Sequence, residues 1–74
     1  MFEFDRQIVD YLLSENFDFK RLYDKHDMLN QQVDEITSGN LTADDLTLER
    51  MKKEKLLLKD RLSSMIEDYK RQHA

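Results

Sequence analysis

The stretch "TSGNLTADD", residues 37–45, decides how this chain folds. It contains the only glycine in the sequence, and the chain has no proline. Gly39 suits the left-handed position just past a helix end, and Asn40 tolerates a similar geometry. Thr42 followed by Asp45 reads as the next helix start: the Thr42 hydroxyl caps free backbone N–H groups, and Asp44 and Asp45 complement the positive end of the dipole. The expectation is one helical hairpin domain over residues 1–74, with a helix over about 3–37, a turn over about 38–42 and a second helix over about 43–71.

Working outward from the turn, apolar residues recur at three- and four-residue steps on both sides. Before it, Ile8, Leu12, Phe19, Leu22, Leu29, Val33 and Ile36 follow a heptad seam, interrupted by Glu15 and His26. After it, Leu48, Met51, Leu58, Leu62, Met65 and Tyr69 do the same, interrupted by Lys55. The fold class read from this is all-α: an antiparallel two-helix hairpin of coiled-coil character that assembles into a helical bundle. "SEN", residues 14–16, leaves two readings of the first helix open. It runs unbroken, or it splits into a short N-terminal helix and a longer one from about residue 17, with Ser or Asn as the cap.

Folding back at residue 40 pairs positions whose numbers add to about 81. Val33 then meets Leu48, Leu29 meets Met51, Leu22 meets Leu58, Phe19 meets Leu62 and Leu12 meets Tyr69. His26 falls opposite Lys55. Those two make a polar core layer that fixes register, with the lysine stem along the seam and the imidazole free to accept a hydrogen bond. On one flank of the seam Asp18 is expected near Arg61 and Lys25 near Glu54. On the other lies a second apolar strip of Val9, Leu13, Tyr23, Leu56 and Ile66. A two-helix hairpin buries little, so that strip is the candidate interface for a second copy or another helical partner. Phe17, Met28, Leu46 and Leu57 read as ordinary surface hydrophobes.

Composition narrows the functional classes. Charged residues make up 38% of the chain and cysteine is absent, which removes disulfides, thiolate chemistry and cysteine zinc sites. No apolar run is long enough to span a membrane, and "MFEFDR" lacks the basic region of a signal peptide, so the expected compartment is the cytoplasm. The sequon "NLT" at 40–42 carries no meaning there.

The net charge of −4 divides unevenly. Residues 1–48 carry 11 acidic against 4 basic residues (net −7), and residues 49–74 carry 8 basic against 5 acidic (net +3), which favours the two halves lying together. Lys52, Lys53, Lys59 and Arg61 form a candidate basic patch, and with Lys55 they support nucleic-acid or ribonucleoprotein association as the alternative function. Acidic Glu49, Glu54 and Asp60 interrupt that patch, and no aromatic platform accompanies it. There is no Gly-rich phosphate loop and only two histidines, so no catalytic, cofactor or metal site is expected and no small-molecule substrate is evident. The reading is a non-enzymatic protein–protein interaction or dimerisation module.

Phe19 and Leu22, "DKHDMLN" at 24–30 and "LERMKKEKLLLKDRL" at 48–62 resemble the YdcH-like family of small bacterial proteins, a domain of unknown function. The likeness covers nearly the whole chain and is most specific over Met51–Asp60. It implies a short helical hairpin in a bacterial cytoplasm, with His26 matching the family's histidine and Lys55 in its lysine-rich run. It implies no reaction. Phe17 departs from the pattern, in which proline can follow the Asn, and this weakens the expectation of a break at 16.

Overall fold

The computed structural model describes residues 5–73. It contains three helices: α1 (Arg6–Glu15), α2 (Phe17–Thr37) and α3 (Asp45–Gln72). The expected helix start near residue 3 lies outside the described residues. The molecule measures 44 × 21 × 17 Å. The long dimension is that of α3, since 28 residues at about 1.5 Å each span roughly 42 Å.

The turn forms as its glycine demands. Gly39 has φ +87°. The Asn40 N–H donates to the Glu35 carbonyl at 2.9 Å and the Gly39 N–H to that of Ile36 at 3.2 Å, the paired bonds of a Schellman ending. The next helix begins later than Thr42 suggested. Asp44 is the cap, its Oδ1 accepting the Thr47 N–H at 3.0 Å, and these Thr47 hydrogen bonds hold the Asp44 carboxyl below its usual range. A carboxylate caps at least as well as a hydroxyl, and starting at Asp45 keeps an acid in the first turn, with Lys70 and Arg71 in the last.

The chain breaks at Asn16 without proline or glycine. Asn16 takes an extended conformation (φ −124°, ψ 104°) and serves both helices. Its N–H closes α1 on the Leu12 carbonyl at 2.8 Å, while its Oδ1 accepts the Phe19 N–H at 3.0 Å and opens α2. One non-helical residue changes the phase of everything before it, because each helical residue turns the chain by about 100°. Glu15, which a continuous seam would turn inward, is exposed. Val9 swings into the core instead.

The core is unequal along the molecule. At the α1 end Val9, Leu12, Phe19, Leu62 and Ile66 form one cluster, with Ile8, Leu13, Leu22, Tyr23, Met65 and Tyr69 packed against it. Phe19 and Leu62, an expected pair, have no exposed surface. The Tyr11 and Tyr69 rings meet at 5.2 Å between centroids, and Lys70 pairs with Asp5 at 2.7 Å, so α1 lies along the far end of α3. Towards the turn only α2 and α3 remain, and there Leu29, Val33 and Leu58 are the buried residues.

Candidate docking surface

The strip proposed as an interface is mostly interior. Val9 and Ile66 are buried, and Leu13 and Tyr23 pack against the same cluster. The third helix created by the Asn16 break covers the face that a simple hairpin would leave open. Leu56 alone of that group is exposed. This corrects the expectation of an open strip through those five residues.

The polar layer is present with a different partner. His26 and Lys55 are both partly buried. The Lys55 ammonium donates to Asn30 Oδ1 at 2.8 Å, one turn beyond His26 on α2. Partial burial, then the Lys55 charge, hold the His26 imidazole below its ordinary pKa; Lys59 adds to this and Asp27 opposes it. The layer therefore joins α2 to α3 through Lys55 and Asn30, with a neutral imidazole beside the bond. Among the described residues, no group of three metal-binding side chains converges there or elsewhere.

The flanking charges divide. Lys25 and Glu54 pair at 3.0 Å across the two helices, as the register requires. Asp18 instead contacts Arg21 on its own helix at 3.9 Å, although Asp18 and Arg61 border the same depression between α2 and α3.

The basic residues share one surface only in part: Arg50, Lys52 and Lys53 border one shallow depression, with Glu49 among them. Lys55 turns toward Asn30, Lys52 contacts Glu49 at 3.9 Å, and Lys59 lies close enough to His26 to affect its titration. At about 100° per residue, Arg61 points well away from Lys59.

The most exposed apolar surface on α3 lies opposite its buried side. Leu46, Leu56 and Leu57 are 59%, 55% and 58% exposed. Leu46, Glu49, Arg50, Lys52, Lys53 and Leu56 border one shallow depression, and Leu57, Asp60, Arg61 and Ser64 border another. Sequence reading assigned Leu46 and Leu57 to ordinary surface. The available signal was the dipeptide series "ER" at 49–50, "LL" at 56–57 and "DR" at 60–61, which puts leucine and opposite charge on one helical face.

A three-helix chain with no helix, among the described residues, long and apolar enough to cross a membrane is the class of protein that this geometry defines. Residues 19–66 match the family described as a protein of unknown function (DUF465), and the chain belongs to that family, in keeping with its YdcH-like resemblance. No curated protein and no solved structure matches it.

Proposed function

We propose that the protein is a non-enzymatic helical docking module of the cytoplasm, in which α1 and α2 brace α3 and the outer face of α3 receives a partner. The observation that carries this reading is the exposure of Leu46, Leu56 and Leu57 along one face of a helix whose other face is fixed in the core. Exposed apolar side chains grouped on a rigid element mark contact surfaces, whereas scattered ones do not. Lys55 and Lys59 turn toward α2, and Glu49 and Asp60 stand among the cations of the outer face, which supports this reading over binding to a phosphate backbone, best served by cations gathered without acids.

A photo-cross-linking side chain at position 57, introduced in cells, tests it. Position 35, on exposed α2, is the control. The expected result is a discrete adduct from 57 that survives raised salt, since apolar contact is little screened. No adduct at 57, or equal adducts at both positions, would remove α3 as the docking face.

A further inference from the structure

We propose that the occupant of the outer face of α3 is the same face of a second copy, with the two helices running parallel. This inference rests on the docking reading and names its partner.

Three observations converge. The first is the exposure of Leu46, Leu56 and Leu57. The second is that this face carries both signs of charge, and its Arg50, Asp60 and Arg61 make no ion pair with any described residue. Glu49 has only its long 3.9 Å contact with Lys52.

The third is the arrangement of these groups. At about 100° per residue, Leu46, Lys53 and Ser64 run down the middle of the face. Glu49, Leu56 and Asp60 lie along one flank; Arg50, Leu57 and Arg61 lie along the other. In a parallel two-fold pair, each copy's first flank meets its partner's second. Glu49 then faces Arg50 of the other copy, Leu56 faces Leu57, and Asp60 faces Arg61, each contact occurring twice. An antiparallel pair would set each flank against itself, bringing acids to acids and arginines to arginines. Lys53 lies on the two-fold line, where its stem can pack while its ammonium leaves the seam. Beyond Ser64 both flanks turn acidic, but Glu67 and Asp68 are bound to Lys70 and Arg71 of their own helix, so the pairing ends there.

The test is sedimentation equilibrium of the full chain from micromolar to millimolar concentration, with helicity followed in every variant. The expected result is a reversible dimer whose dissociation constant rises roughly tenfold or more in Leu56→Ser/Leu57→Ser at unchanged helicity. Arg50→Glu/Arg61→Glu and Glu49→Lys/Asp60→Lys should each fail to self-associate, yet associate when mixed. Orientation is read separately, since the chain has no cysteine. Leu46→Cys and Ser64→Cys should each form a disulfide dimer with itself, the two sites being about 27 Å apart along the helix. Disulfides that form only when the two variants are mixed would overturn the parallel arrangement. A chain monomeric throughout, or a dimer indifferent to Leu56 and Leu57, would overturn the second copy as occupant. If the adduct at position 57 persists in cells alongside such a monomer, the docking face stands with another partner; if it too is absent, both readings fall.

Discussion

The two ends of this molecule are built on the same α2–α3 pairing and differ in what covers it. At the α1 end three helices enclose an aromatic and two aliphatic side chains, Phe19, Leu62 and Ile66, almost completely. Towards the turn two helices face each other around a lysine, an asparagine and a histidine that all keep contact with solvent. The contrast teaches that helical period alone does not make a core. A third element is needed to dry the second side of a hairpin, and here ten residues of α1 supply it.

The largest test of this contrast uses the same substitution at both ends. Leu62→Ala should destabilise towards the upper end of the usual range of about 2–5 kcal/mol, and Leu29→Ala towards its lower end, because the three-helix end can collapse less around a void. Urea denaturation followed by helical circular dichroism reads both, and equal costs would erase the distinction. The turn comes next. Gly39→Ala should cost about 1–2 kcal/mol by the same assay, entirely through its positive φ, since a Cβ there would meet nothing within 4 Å.

Asn16→Ala should cost about 1 kcal/mol by removing the cap on α2. Hydrogen exchange should show the loss concentrated in α1 and the first turn of α2; uniform loss across α3 would mean that α1 is not a separable cover. The smallest effect belongs to the polar layer. His26 titrates below 6.5 in the folded chain, so the unfolded chain binds more protons and stability rises with pH through that range. Stability should therefore fall as pH drops from about 7 through 6.5 towards the lower folded value, and His26→Gln should flatten that slope. Denaturation midpoints across this range decide it, and an unchanged slope would place the titration elsewhere.

Much of the architecture was legible in the sequence because its causes are local or periodic. Gly39 had one good use in a chain without proline, and the seam from Phe19 to Val33 and from Leu58 to Leu62 repeats without interruption of phase. The core position of Val9 and Ile66 was not legible from a heptad carried across Asn16, since one extended residue there rotates all of α1. The warning lay in Glu15, a carboxylate in an apolar seat, which the break removes from the seam. The cap at Asp44 and the Lys55 bond to Asn30 were near misses of a different kind. Each involves neighbouring polar groups able to do the same work, and only the three-dimensional spacing chooses between them. The outer face of α3 was hidden by treating each leucine singly, when the information lay in their common side and in the charges beside them.

The bond between Lys70 and Asp5 has a topological consequence. It brings residues from opposite reaches of the sequence side by side, so the folded chain is nearly a closed ring, with the turn at 38–44 as its far point. In such a ring the order of elements along the backbone matters less than their adjacency in space. Opening the backbone within the turn would leave every buried contact described above intact, held across the cut by packing and by the bond between Lys70 and Asp5.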